Sequence, residues 1–592
     1  MVSRYTRLRV KRKLRTRKKQ VVGISETANK QLDRHVFRRW HNLKASWRFV
    51  AGWLGLVAIL IIAVVFQTRA LGSFYLTPTP IAGGVYTEGM VGSFSNANPI
   101  YATSEVDSAV SRLVFSPLLT FDKDNQFTGD LAASWTSNAK ATEYTVTLKK
   151  GLTWHDGKPI TSDDVVYTYK TIQNPDAKSP LVGGWTGIKI EKVDELTVKF
   201  TLPNAYSPFP YSLTTGILPQ HILKNYTAEQ LRSATFNIKA PVGSGPFVWK
   251  SVNVENISKD SQSSTIRLVR FEKYNKGAPK LDGITIRTYA SDQDAKKALD
   301  DKEVITVAGV SIPDNEIKAD YSSTSFNLMS ADMFFLKTDS PLLSDTKVRQ
   351  ALVSGTNVPN LIQKVGYPAA AVREPLLKGQ IGFDPAYYQA SFNKDSAKAA
   401  LDAAGWTLAP NEQIRKKDGK QLKLNLVYEK SAEFSRVVDE LQKQWTDLGV
   451  ALNINVTQDS TETVNYLKSH EYDVLLYGIN IGPDPDVFAY WHSSQIKTGS
   501  QLNLADYKSA SADMALEAGR TRVDLKLRAA KYKPFLQAWQ ADAPAIGLYQ
   551  PRYLYVSNQE VYGLTAKTIN SPADRYNDAH LWMINTARSQ KQ

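Results

Sequence analysis

Residues Leu113–Lys170 read LVFSPLLTFDKDNQFTGDLAASWTSNAKATEYTVTLKKGLTWHDGKPITSDDVVYTYK. Leu118, Thr120 and Phe121 make a short apolar run, and Asp122–Asn125 follows it. Asp and Asn side chains bond their own backbone, so this segment reads as a turn. Tyr144, Val146 and Leu148 alternate with Thr145, Thr147 and Lys149, the period of a half-buried strand. Trp154–Pro159 (WHDGKP) is a second turn. Thr161 or Ser162 then caps a helix whose first turn carries Asp163 and Asp164, where carboxylates meet the positive end of the helix dipole. Val165, Val166 and Tyr169 give that helix its apolar face.

The order of these words resembles the signature of one large family. These are the extracytoplasmic substrate-binding proteins of dipeptide, oligopeptide and nickel ABC importers (bacterial extracellular solute-binding protein family 5). The resemblance is carried by Leu118-Leu119, Leu131-Ala132-Ala133-Ser134-Trp135, Gly151, Trp154–Gly157, Pro159 and Asp163-Asp164-Val165. A lone WHDG would say little; the fixed order of all these positions says much. Later matches are Ile217–His221 (ILPQH), Pro241–Phe247 (PVGSGPF), the Phe271–Ile286 hairpin, Asp345–Leu352 (DTKVRQAL) and Asp542–Ile546 (DAPAI). The resemblance runs from about Val85 to the C-terminus and does not reach Met1–Arg69.

Composition agrees with a folded multidomain chain. At 592 residues it exceeds what one core serves, and 42% hydrophobic with 22% charged residues is ordinary globular usage. The net charge of +16 is local: residues 1–69 hold 17 Lys and Arg against Glu26 and Asp33, so the remainder is within one charge of neutral. A basic nucleic-acid surface on the body is therefore not expected, and the basic N-terminus lacks any nucleic-acid-binding fold beside it. The chain has no cysteine. That excludes disulfides, thiolate metal sites, a cysteine nucleophile and a lipid-modified N-terminal cysteine.

Phe49–Phe66 (FVAGWLGLVAILIIAVVF) is an 18-residue stretch without charge, about 27 Å of helix and enough for a bilayer core. Trp47 and Trp53 suit the interface. Arg4–Lys19 and Arg34–Arg48 are basic while only Arg69 follows closely, so the positive-inside rule puts the N-terminus in the cytoplasm and the body outside. The apolar run exceeds the roughly 7–15 residues of a signal peptide, which favours an uncleaved anchor. Cleavage at Ala70-Leu71-Gly72 is the alternative. The basic tail reads as topogenic and disordered, with contact to anionic lipid or to the importer as its alternative.

Further on, Leu196, Val198, Phe200 and Leu202 alternate as a strand. Phe434, Val437, Val438, Leu441, Trp445 and Leu448 fall at helical spacing before Gly449, and alternating strands flank them at 422–428 and 450–456. Strand–helix–strand order means an α/β lobe. The resemblance implies an α/β, two-lobed periplasmic-binding-protein-like fold with an extra subdomain, preceded by one transmembrane helix. The expected divisions are a basic cytoplasmic tail 1–48, an anchor 49–66, a linker 67–84, a first lobe 85–334 with a subdomain at about 115–205, a second lobe 335–544, and a return to the first lobe at 545–592. Met329–Leu336 and Ile546–Leu554 are the expected crossings between lobes, and they form the hinge.

No catalytic, metal or cofactor set can be assembled from the residues. His155-Asp156 has no G-x-S-x-G nucleophile to serve and reads as a scaffold turn. Asp122–Asn125 lacks the glycine and closing glutamate of a calcium loop. There is no HExxH, and of the seven scattered histidines only His492, beside Trp491, suggests a nickel or haem ligand; a packed rim histidine is the plainer reading. A secreted hydrolase is accordingly disfavoured, and the chain is expected to be no enzyme. The resemblance implies instead that short peptides are captured by lobe closure and delivered to ABC permease subunits. Other ligands on the same fold (oligosaccharide, nickel complex, haem) and a peptide sensor without transport are the alternatives. The ligand-binding residues so implied are Phe94, Asn98, Tyr101, Gly245, Phe247, Asn480, Asp484, Phe488 and Trp491. Peptide binders of the family anchor the ligand amine with an Asp shortly before an acidic-Pro pair. Ile479–Pro483 contains no acid, so either Asp484 takes the amine or the ligand is held by backbone groups and an aromatic wall of Phe94, Tyr101, Phe247, Phe488 and Trp491.

Overall fold

In the computed structural model, which describes residues 30, 47–258, 261–458, 460–496, 501–565 and 568–590, the Leu113–Lys170 stretch folds as its pattern predicts. Leu119–Phe121 pairs antiparallel with Phe127–Gly129 around a turn closed by Asn125 N–H donating to the Asp122 carbonyl (3.0 Å). Glu143–Leu148 buries alternate residues. Thr161 caps the helix Ser162–Gln173 in a capping box with Asp164. That helix packs on a four-stranded antiparallel sheet in the order Ala132–Ser137, Glu143–Leu148, Thr197–Thr201, Lys189–Lys192. Tyr169 stacks on Trp185 at 4.0 Å, and Phe200 and Phe209 close the aromatic core around Trp185.

His155 ties this subdomain to the PVGSGPF turn. Gly243 N–H donates to its Nδ1 (3.3 Å) and its Nε2 donates to the Gly245 carbonyl (3.0 Å). Such bonding requires the neutral ring, and burial pushes the imidazole down to about 4. The turn lies so close to Leu113–Phe115 that a Cβ on Gly243 would stand 1.9 Å from the Val114 carbonyl oxygen. His155 is a scaffold residue, as its sequence context suggested.

Two larger sheets follow. The first has eight strands in the order Thr568–Ile569, Ser322–Leu328, Arg552–Ser557, Thr306–Ala308, Val85–Val91, Gly283–Tyr289, Ser261–Arg270, Phe247–Ser258. The second has six: Ala370–Ala371, Ala545–Gln550, Ser330–Leu336, Val474–Asn480, Lys423–Glu429, Ala451–Thr457. Lys423–Glu429 and Ala451–Thr457 are parallel, joined through the helix Ala432–Thr446, which Ser431 caps. Each six-stranded-sheet strand sends alternate residues to opposite faces. Phe334, Leu336, Leu426 and Leu476 pack with Val437, Leu441 and Trp445 on one face. Met333, Phe335 and Leu475 pack with Trp491, Phe535 and Trp539 on the other.

The chain passes between these sheets twice. Ser322–Leu328 leads at Met329 into Ser330–Leu336, and Ala545–Gln550 leads at Pro551 into Arg552–Ser557. The changes of sheet thus fall at Met329 and Pro551. Hydrogen bonding decides this: Ser330–Leu336 is paired along its whole length with Val474–Asn480, and Ala545–Phe335 and Ile546–Phe334 are partners.

The described residues of 1–79, with 586–590, form a separate unit. Its helix is Trp47–Tyr75, within which Trp47–Gln67 is long and apolar enough to cross a membrane. Leu54, Ile59, Ile62 and Phe66 are exposed along it. The basic tail lies outside the described residues except for Lys30, Trp47 and Arg48. The expected linker at 67–84 is instead the end of this helix followed by the strand Leu76–Ile81, paired with Asn585–Gln590. Pro78 and Pro80 are tolerated because a two-stranded sheet leaves one edge of each strand unpaired.

Candidate functional site

Where the two crossings run side by side, the sheets and their helices border an open cavity of about 660 Å³, within the range of small-ligand sites. Ile312 and Pro313 come from the side of the eight-stranded sheet. Tyr477 and Gly478 come from the six-stranded sheet, and Glu433 and Phe434 from the N-terminus of the helix Ala432–Thr446. Asp332, Pro551 and Arg552 belong to the crossings themselves.

Asp332 owes its place to register. It faces Gly478 on one side and Tyr549 on the other. A Cβ on Gly478 would lie 2.5 Å from Asp332 Oδ1, so only glycine leaves the carboxyl room there. Asp332 is 4% exposed. Burial, and next the nearby Glu433 carboxylate, push its carboxyl well above the usual range. Glu433 sits in the first helical turn, where the dipole favours an anion. Its Oε1 accepts from the hydroxyls of Tyr549 (2.7 Å) and Tyr367 (3.1 Å). Arg552 belongs to the opposite wall: it pairs with Asp314 (2.7 Å), donates to the Ile312 carbonyl (3.2 Å) and lies over the Tyr367 ring (4.2 Å).

A second feature is a charged seam between the subdomain and the loops of the six-stranded sheet. Arg528 grips Asp484 with both Nη atoms, Nη1 to Oδ2 at 2.5 Å, and Asp486 N–H donates to Asp484 Oδ1 (2.9 Å). Arg520 pairs with Asp486 (3.0 Å) and packs its guanidinium over Phe488 (4.1 Å) and Tyr206 (5.0 Å). Its carbonyl accepts from Ser207 N–H (2.9 Å) and Oγ (3.1 Å). Burial pushes the Asp486 carboxyl up. This seam holds subdomain and second lobe together.

The residues singled out from the sequence lie as follows. Asn98 is buried, its amide donating to Asn237 (3.0 Å). Tyr101 donates its hydroxyl to the Ala177 carbonyl (2.7 Å), and burial pushes the phenol up to about 12. Phe247 is fully buried, and Phe94 packs beside Trp249 at 5.8 Å. Gly245 lies against the Leu113 carbonyl oxygen, 2.6 Å from where its Cβ would be. Asn480 is exposed at a strand end, its carbonyl accepting from the Tyr490 hydroxyl (2.6 Å). Phe488 stacks on His492 (4.0 Å), and Trp491 is buried between Phe335 and Trp539. Phe94, Tyr101 and Phe247 thus belong to one core and Phe488 and Trp491 to another. The five aromatics form no single wall, and none of the nine residues lines the 660 Å³ cavity. Among the described residues no group of three or more His, Asp or Glu could hold a metal ion.

Sequence reasoning missed Asp332, Glu433, Tyr367, Tyr549 and Arg552. One signal was present. Asp332 is a lone carboxylate inside the apolar run LMSADMFFL, and an acid in a core-forming strand marks a functional candidate.

Comparison with known proteins agrees with this architecture. The sequence model of the Bacterial extracellular solute-binding proteins, family 5 Middle, matches residues 126–500. The oligopeptide-binding protein AppA of Bacillus subtilis (strain 168) is 26% identical over 554 residues, covering 90% of this chain and 98% of the relative. The structure of Bacillus subtilis AppA in complex with a nonapeptide aligns with a TM-score of 0.68 at 24% identity, over 86% of this chain and 100% of the other. Campylobacter jejuni NikZ in complex with Ni(L-His) gives 0.68 at 23% identity, over 84% and 99%. These structural likenesses bear on the fold.

Proposed function

The chain belongs to the family 5 bacterial extracellular solute-binding proteins, and on that premise we propose that it captures short peptides in the cavity at the crossing strands. The observation that carries this reading is the cavity itself: about 660 Å³, bounded by both lobes and lined by the two crossings that join their sheets among the described residues. A ligand there touches both lobes at once. Its contacts to each are complete only when the lobes close, so binding energy drives hinge closure. The relatives named for oligopeptides support a peptide as the ligand. No covalent step is required; the receptor binds, closes and hands the peptide to an ABC permease.

The helix around Phe49–Phe66 holds the receptor at the cell membrane as a single-pass anchor. The basic segment before it stays in the cytoplasm and the body faces outward. Protease added to intact cells should remove the body and spare an N-terminal tag; a protected body would refute this topology. The decisive test of ligand class is native mass spectrometry of the detergent-solubilised full chain. Retained masses that fragment as peptides support the proposal. A saccharide, a nickel complex or haem retained instead would replace the peptide, while crosslinking to no permease subunit would make the protein a sensor.

A further inference from the structure

The geometry points to the Asp332–Glu433 carboxylate pair as the anchor for a cationic group of the ligand, an alkylammonium or guanidinium, inside the crossing-strand cavity. This rests on the reading of that cavity as the ligand site.

The first ground is that Asp332 has no counter-charge of its own, only the Tyr549 hydroxyl beside it. It is 4% exposed and lines the cavity. Among the described residues no Lys or Arg pairs with it, and the hydroxyl in reach, that of Tyr549, donates its single proton to Glu433 (2.7 Å). Buried carboxyls are ordinarily paired or hydrogen-bonded because desolvation is otherwise uncompensated. An acid left in this condition at the edge of a cavity is arranged for something that enters the cavity.

The second ground is that the cations lining the same space are turned elsewhere. Lys296 pairs with Asp300 (3.4 Å) and Lys430 reaches Gln458 (3.3 Å). Arg436 donates to the Lys364 and Val365 carbonyls (2.8 Å each), and Arg552 pairs with Asp314 (2.7 Å). Two adjacent carboxylates remain without a counter-charge. A cation between them relieves their mutual repulsion and gains charge-assisted hydrogen bonds in a site of low dielectric. Gly478 leaves the approach to Asp332 open. The hydroxyls of Tyr367 and Tyr549 fix Glu433 in place, so the site is largely preorganised. Asp484 cannot serve in the same way without giving up Arg528.

The test compares wild type, Asp332→Asn and Glu433→Gln as full-length proteins. The probe is an equimolar tetrapeptide library prepared with free amino ends, with acetylated ends, and with acetylated ends plus one Lys or Arg. Retained members are read by native mass spectrometry. Wild type should enrich the cationic members at least tenfold over the neutral acetylated ones, and both substitutions should remove that enrichment while neutral binding persists. Asp332→Asn is a neutral isostere that leaves no carboxyl without a counter-charge, so its melting temperature should stay close to wild type. Enrichment confined to free amino ends identifies the ligand's α-ammonium; retention of acetylated Lys or Arg members identifies a side chain. Equal retention of neutral members by wild type, or unchanged selection in Asp332→Asn, overturns the inference. If no tetrapeptide is retained, the peptide reading fails. The anchor is then decided by agmatine and spermidine: a rise in melting temperature of wild type that Asp332→Asn lacks upholds it, and no rise refutes it.

Discussion

Replacing Asp484 by Asn distinguishes a structural carboxylate from a ligand anchor. Asp484 and Arg528 are 8% and 3% exposed, and the guanidinium grips the carboxylate with two bonds. Removing one partner of a buried pair leaves the other charge uncompensated, which costs about 3–5 kcal/mol. Asp486 also interacts with Arg528 and stays behind to compensate in part, which puts the expected loss near 3 kcal/mol. A body of about 500 residues (Pro80–Asn585) unfolds with an entropy of about 1 kcal/mol/K, so Tm should fall by about 3 °C. The assay is differential scanning calorimetry of the empty protein. Asp484→Asn combined with Arg528→Met should recover most of the loss, because an apolar side chain removes the stranded charge. A Tm within 1 °C of wild type would refute the structural assignment. If affinity for free-amine peptides fell more than tenfold at the same time, about 1.4 kcal/mol, Asp484 would instead be the amine anchor.

Arg520→Ala should loosen the seam between subdomain and second lobe, since it removes the packing on Tyr206 across it and the Asp486 and Phe488 contacts that hold the guanidinium there. The radius of gyration should rise in small-angle scattering and ligand affinity should drop about tenfold, for roughly 1–2 kcal/mol of lost interlobe contact; an unchanged scattering profile refutes the seam. His155 sets a pH dependence. Its folded value near 4 lies below the ordinary value of about 6.5, so its contribution is complete above pH of about 6.5 and is lost as pH falls toward 4. Urea unfolding should show up to about 3 kcal/mol less stability from this group at the acid end, and His155→Gln should flatten the slope; an unaltered slope contradicts the assignment. Gly243→Ala drives a Cβ to 1.9 Å from the Val114 oxygen. With backbone on both sides neither can yield easily, and stability should fall by about 3 kcal/mol or more; a Tm near wild type would mean the turn moves freely.

Much of the architecture was legible because it depends on near neighbours in the chain. The two-residue alternation of Tyr144, Val146 and Leu148 and the helical spacing of Val437, Leu441 and Trp445 state which face each element buries. The capping box at Thr161–Asp164 and the turn at Asp122–Asn125 are satisfied by residues a few positions apart. Nothing distant is needed to form them. The apolar run at Phe49–Phe66 and the charge asymmetry around it are likewise properties of the linear chain.

The site is different because it is made by register. Asp332 matters through Gly478 and Tyr549, which are 146 and 217 positions away and become its neighbours only when strands pair. Glu433 gains its role from Tyr367 and Tyr549, and Arg552 is withdrawn from Asp332 by Asp314. Asp484 looked free in the linear chain, and Arg528, 44 positions on, occupies it. The sequence by itself determined the elements, their buried faces and the long apolar helix near the N-terminus, since the hydrophobic effect and local hydrogen bonding act on the nearest pattern of side chains. Tertiary structure alone decided which charges are paired and which are left open to the cavity, because a carboxylate's partner is whichever donor the folded backbone brings within about 3 Å.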